Sequence, residues 1–141
     1  MIRLLMLMTA LIPALRTDDG RDFQARVMGD GGNVDAGSGD MRPADYIALT
    51  EDAGAPASGS STLTGELTGD LGREQATYAH TDGTATYTLT NTWTSDQSAT
   101  VRKIGVFNAS SGGTLVFETE LNAEATLVSG DQLQVTETVT L

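Results

Sequence analysis

The residues of this chain that could carry out chemistry are few, and each has a plainer reading beside the chemical one. His80 is the only histidine. A catalytic histidine needs a nucleophile and an orienting carboxylate, and the nearby Asp82 in a turn does not supply that constellation. It reads as a surface residue at a strand end. Glu118, Glu120 and Glu124 could serve as the paired carboxylates of glycoside hydrolysis, and Glu118 and Glu120 would share one face of a strand. Scattered acids are expected of so acidic a chain, however. The stretch Asp30 to Asp40 offers Asp30, Asn33, Asp35 and Asp40 among glycines, fair material for calcium. It fits neither the EF-hand spacing nor a glycine-aspartate nonapeptide, so it reads as a solvated loop in which calcium would be held only weakly. The same glycine run follows a helix instead of opening one and has no lysine, which excludes a phosphate-binding loop. Asn108-Ala109-Ser110 is a formal glycosylation sequon of a kind that also arises by chance. The expectation is a chain with no catalytic, cofactor-binding or metal residues, and not an enzyme.

The elements that would position any such residue are strands. From Thr84 to Thr94 every even position is threonine, while the odd positions run Ala85, Tyr87, Leu89, Asn91, Trp93. Successive side chains of a strand point to opposite faces, so a threonine row faces away from Tyr87, Leu89 and Trp93. The row suits a solvated sheet face or a hydrogen-bonding platform for sugars. The last segment repeats the logic, with Leu133, Val135, Val139 and Leu141 opposite Gln134, Thr136, Thr138 and Thr140. Further strands are predicted at Asp45–Leu49, Gln75–His80, Thr100–Phe107, Thr114–Leu121, Glu124–Val128 and Gln132–Leu141. Asp82-Gly83, Ser95-Asp96, Asn108–Gly113 and Ser129–Asp131 are the joints. Turns at such short, regular spacing predict an all-β fold: a single antiparallel β-sandwich, jelly-roll or immunoglobulin-like. Thr17 can cap a short helix over Asp18–Met28, with Asp18 and Asp19 where the helix dipole favours acids. The tandem echo Leu63-Thr-Gly-Glu-Leu-Thr-Gly-Asp70 has too few copies to make a repeat architecture.

Composition bounds the partners. The 141 residues suffice for one domain with a real core. Nineteen acidic residues stand against eight basic ones, a net charge of −11, and Lys103 is the only lysine. Phosphate binding needs a basic stripe, so the charge balance argues against nucleic acid as a partner. An acid-rich, lysine-poor surface suits either a strong-salt cytoplasm or an ordinary acidic β protein. With no cysteine there is no disulfide frame and no thiolate site. The apolar start through Leu15 imitates a signal peptide, but Ala14-Leu-Arg-Thr17 offers no small-x-small cleavage site, and the run is too short to span a bilayer. It reads as a buried or oligomer-facing segment. Residues 1–40 are therefore assigned to an apolar segment, short helix and glycine-rich loop acting as anchor or oligomer contact, and residues 41–141 to the sandwich.

Two groups of residues carry a resemblance. The first is Pro43-Ala-Asp-Tyr-Ile-Ala-Leu49, Ala53-Gly-Ala-Pro-Ala57, Leu63, Glu66 and Arg73. The second is Ile104-Gly-Val-Phe-Asn-Ala109, Gly112-Gly-Thr-Leu-Val-Phe117 and Leu127-Val-Ser-Gly-Asp-Gln-Leu-Gln-Val-Thr136. Together they resemble a family of small β-rich structural proteins of tailed viruses of bacteria and archaea, variously described as tail fibre, minor tail or capsid decoration proteins. Gly105, near which the family often has an alanine or glutamate, and the apolar run at residues 4–15 are departures from the family pattern or extensions of it. The resemblance implies a non-enzymatic virion protein, exposed on the particle surface and assembled in the host cytoplasm. It would decorate the capsid, as a turret for example, or the tail. The acid surface points to a haloarchaeal virus. The expected partners are further copies of itself, as a trimer or pentamer, and the major capsid or tail proteins. The alternative is a receptor- or glycan-binding tail fibre or adhesin domain. Nucleic acid and a membrane span are not expected.

Overall fold

A computed structural model describes residues 5–10, 15–29 and 42–141. Among the described residues its strands are β1 (Leu5–Ala10), β2 (Leu15–Arg16), β3 (Tyr46–Thr50), β4 (Glu74–Gln75), β5 (Thr77–His80), β6 (Thr86–Thr94), β7 (Ala99–Phe107), β8 (Leu115–Leu127) and β9 (Gln132–Thr140), with one α-helix, α1 (Asp18–Gly29), and a short 3-10 helix at Gly69–Leu71. The strands form two sheets, ordered β1-β9-β6-β5 and β2-β8-β7-β3-β4. The protein is an all-β sandwich, as the alternation requires.

The core lies between the sheets. Leu89, Trp93, Leu133, Val135 and Val139 meet Ile47, Leu49, Ile104, Val106, Phe117 and Leu127 there. Burying a side chain of this size contributes about 1.5–3 kcal/mol, so this row of apolar positions dominates the stability of the fold. Trp93 also satisfies its one polar atom, with Nε1 donating to Gly72 O at 2.9 Å. A smaller apolar cluster lies on the outer face of the second sheet, where Leu63 from the 51–73 connection covers Ala48, Phe107 and Leu115. Gly105 belongs there. A Cβ at that position would meet Leu115 Cδ1 at 2.9 Å and Leu63 Cδ2 at 3.2 Å, which accounts for glycine in place of a larger residue.

Four features depart from the pattern read along the chain. The segment Gln75–His80 is split, with β4 at the edge of the second sheet and β5 at the edge of the first. β1 pairs with β9 in parallel, from Leu5↔Gln132 to Ala10↔Glu137, whereas every other described pairing is antiparallel. Turn spacing reports only neighbours in sequence and gives no sign of a strand arriving from the far end of the chain. The segments Thr114–Leu121 and Glu124–Val128 are one strand, β8, with a wide bulge between them. Val101 faces Ala125 but Lys103 faces Glu120, so β8 loops out extra residues and then resumes its pairing. Leu141, expected inside, is 67% exposed because it lies one residue beyond the end of β9. The helix starts where Thr17 caps it, its hydroxyl accepting from Gly20 N at 2.9 Å and donating to Leu115 O.

Candidate interaction surface

The charged residues of the resemblance motifs prove to be fasteners. Arg73 forms a bidentate pair with Glu66, both contacts at 2.8 Å, and its Nη1 also donates to Ala109 O and Gly112 O. Its guanidinium stacks 3.4 Å from the centroid of the Phe107 ring. One planar side chain thus ties the β7–β8 hairpin to the 66–73 connection, a task that needs the fork of arginine. Asn108 completes the hairpin, its Oδ1 accepting from Thr114 N at 2.7 Å. The asparagine is fully buried, so the sequon at Asn108 is closed to a glycan.

Lys103 performs a matching role for the alanine-proline loop. Its Nζ meets Glu118 Oε1 at 2.7 Å, Asp52 Oδ2 at 2.8 Å and Gly54 O at 2.9 Å. Burial pulls the ammonium pKa down, but the two carboxylates outweigh it and hold it above the usual lysine value. The contact with Lys103 keeps the Asp52 carboxyl below its usual range. Glu118 Oε2 then accepts from Ala57 N at 3.2 Å. Glu118 is consumed by this structural ion pair, Glu124 pairs with Arg102 at 3.1 Å, and Glu120 lies opposite Lys103 in the register of β7 and β8. The three glutamates are not assembled as acid and base.

His80 is exposed on β5, with Nδ1 donating to Thr86 O at 2.8 Å; it meets no nucleophile and no carboxylate. The loop Asp30–Asp40 lies outside the described residues. Among the described residues no group of three potential metal ligands converges, and no helix is long and apolar enough to cross a membrane.

Two features escaped the reading of the sequence. The first is Glu137, fully buried between the sheets in line with Leu133, Val135 and Val139. Thr119 Oγ1 donates to its Oε1 at 3.0 Å, and Oε2 has no partner among the described residues. Burial raises its pKa to about 7 against the weaker opposing effect of the Thr119 bond. The signal was present, since residue 137 falls in the apolar phase of β9, but a single acid among valines is easily passed over.

The second is a cleft beside the edge strand β5. By register Tyr78 lies opposite Leu89, and His80 opposite Tyr87, so these residues point toward the other sheet. That sheet does not extend over β5, which leaves Tyr78 58% exposed. Its ring rests against Tyr87, with centroids 5.5 Å apart and planes inclined at 40°. Pro43, Ala44, Asp45, Tyr78, Tyr87 and Leu89 line an open cleft of about 380 Å³. A smaller apolar hollow of about 130 Å³ adjoins it through Ala44 and Tyr87, bounded by Phe23, Phe117 and Leu141. Burial is the main reason that the Tyr87 phenol is raised above its usual pKa, with Tyr78 and Glu137 adding to it.

Beyond the cleft, the outer face of β6 and β9 is uncharged. Thr86, Thr88, Thr90, Thr92 and Thr94 face Thr140, Thr138, Thr136, Gln134 and Gln132 in register. They cross-link as Thr90–Thr136 at 3.1 Å, Gln134–Thr92 at 3.1 Å and Gln132–Thr94 at 3.3 Å.

A two-sheet sandwich whose buried charges fasten loops, and whose described residues bring no catalytic group together, has the features of a structural module. The comparison of families makes this specific. The chain belongs to the family of the podophage GP4 fiber I protein gp80, whose model matches residues 41–140, and it is a phage fibre-type structural protein. No curated protein and no solved structure matches it.

Proposed function

We propose that the chain is a surface-exposed, homo-oligomeric, non-enzymatic subunit of a tailed-virus particle. The observation that carries this reading is the distribution of charge. The chain bears a net −11, yet the threonine and glutamine face of β6 and β9 has no charged side chain. Copies of an acidic chain repel one another nearly everywhere else, so a neutral, hydrogen-bonding face is where they can pack in a closed ring, as a trimer or pentamer. Residues 1–40 are the contact with the shell or tail, with β1 at the sheet edge offering unpaired backbone for strand addition. The acid-rich, lysine-poor composition supports a host with a strong-salt cytoplasm.

Copy number per purified particle is the experiment, read beside native mass spectrometry of the isolated chain. Hundreds of copies would mean capsid decoration and a handful would mean a tail fibre. A strictly monomeric chain, or one absent from particles, would overturn the reading.

A second reading, a domain that binds a host receptor or glycan, is favoured by one observation: the uncovered Tyr78 beside a formed cleft. An aromatic side chain left facing a sheet that does not reach it costs solubility without serving the core.

A further inference from the structure

We propose that the cleft between Tyr78 and the Pro43–Asp45 segment is a subsite for one neutral sugar ring of a host-surface glycan. The proposal gives the receptor-binding reading a site and a ligand class, and it rests on that reading.

The argument begins with what the fold supplies. Tyr78 presents an apolar ring at the edge of the sandwich, backed by Tyr87 so that its orientation is held by contact. A fixed aromatic plate suits the flat C–H face of a pyranose, because apolar area is buried at little cost in side-chain freedom. Asp45 lines the same cleft. Its Oδ2 accepts from Gln75 Nε2 at 2.8 Å, and its Oδ1 takes no hydrogen bond from any described residue. A carboxylate oxygen aligned by an amide and left with a lone pair to offer is what a sugar hydroxyl needs as acceptor. The cleft of about 380 Å³ lies inside the usual range for small-ligand pockets, roughly 300–1,000 Å³.

Other occupants fit less well. An anionic ligand would meet Asp45 inside a chain of net charge −11. A quaternary ammonium needs rings that stand apart and face it from several sides. Here the two tyrosines are in contact with each other at 5.5 Å and leave no room between them. An apolar peptide side chain would fill the hollow but would leave the oriented carboxylate without a partner. A neutral polyol with one apolar face uses both walls.

The test uses purified full-length chain and five probes: glucose, galactose, N-acetylglucosamine, rhamnose and tetramethylammonium. Saturation-transfer NMR reads binding, and tyrosine fluorescence gives affinity. At least one neutral sugar should bind in the millimolar range. Y78A should weaken it at least tenfold with an unchanged circular-dichroism spectrum, and D45N should weaken it severalfold. A44W, which fills the cleft from the opposite wall, should abolish binding without touching the tyrosine, so the inference stays testable if Y78A fails to fold. No sugar binding up to the solubility limit would overturn the proposal. So would equal binding by Y78A and A44W, or binding of tetramethylammonium alone. In infectious particles Y78A should leave copy number unchanged and lower adsorption to cells. Absence of the wild-type chain from particles would instead overturn the virion assignment, and sugar binding by the purified chain would stand apart from it.

Discussion

Lys103 Nζ lies 2.7 Å from Glu118 Oε1, and each side chain is only 3% exposed. A buried ion pair of this kind is costly to form and more costly to break on one side, since the survivor keeps its charge without a partner. K103M should therefore destabilise the protein by about 3–5 kcal/mol in a urea melt at neutral pH. The paired change K103M/E118L should recover most of that loss. If the double variant is no better than K103M, the cost lies in the loop held through Asp52 and Gly54, not in the stranded carboxylate.

Glu137 predicts how stability depends on pH. Its folded-state pKa of about 7 lies above the ordinary glutamate value of 4.5, so the folded chain holds the proton more tightly than the unfolded one. The stabilisation is fully present below pH 4.5 and is lost as pH rises through about 7. The shift corresponds to roughly 3 kcal/mol. E137Q keeps an oxygen for the Thr119 hydroxyl and removes the charge, so it should be more stable than the wild type at pH above the folded value. It should also lose this part of the pH slope. Parallel pH profiles of the two proteins would contradict the assignment.

Arg73 makes four hydrogen bonds and a stacking contact that no other residue can reproduce. R73K should cost about 2–3 kcal/mol, because lysine loses the bidentate geometry and the ring contact. Amide exchange in residues 108–114 should accelerate before exchange in the core strands does. Uniform acceleration across the sandwich would mean that the hairpin is held by other means.

Two glycines separate strain from crowding. Gly83 has φ +82° and open space where a Cβ would stand, while Gly113 has φ +74° and Asn108 Oδ1 only 2.6 Å from that point. G83A should cost about 1 kcal/mol, the backbone penalty alone. G113A should cost clearly more and should loosen the Asn108–Thr114 bond, seen as a shifted Thr114 amide resonance. Equal melting temperatures for the two variants would contradict the crowding.

The sandwich was legible because its strands announce themselves by alternation: the threonines of β6 and the valines of β9 fix faces residue by residue. The clamps were not legible as clamps. Phe107 is far along the chain from Glu66 and Arg73, as Asp52 is from Lys103 and Glu118, and no local rule brings these residues together. Their types were visible, and their partners depend on a register that only the folded sheet defines. Tyr78 was placed on a strand correctly, yet its exposure follows from the extent of the facing sheet, a property of the assembled layers. Glu137 was the one residue whose sequence phase already contained the answer.

The parallel pairing of β1 with β9 sets a clock on folding. The first strand finds its place only beside the last, so the first sheet cannot close until the chain has been synthesised through Thr140. Contacts so distant along the chain slow folding, and β1 cannot take its place in the sheet until β9 has been made. The interval between synthesis of β1 and closure of the sheet is therefore when an apolar strand is open to chaperones or to aggregation, and its length sets how soon the fold is complete.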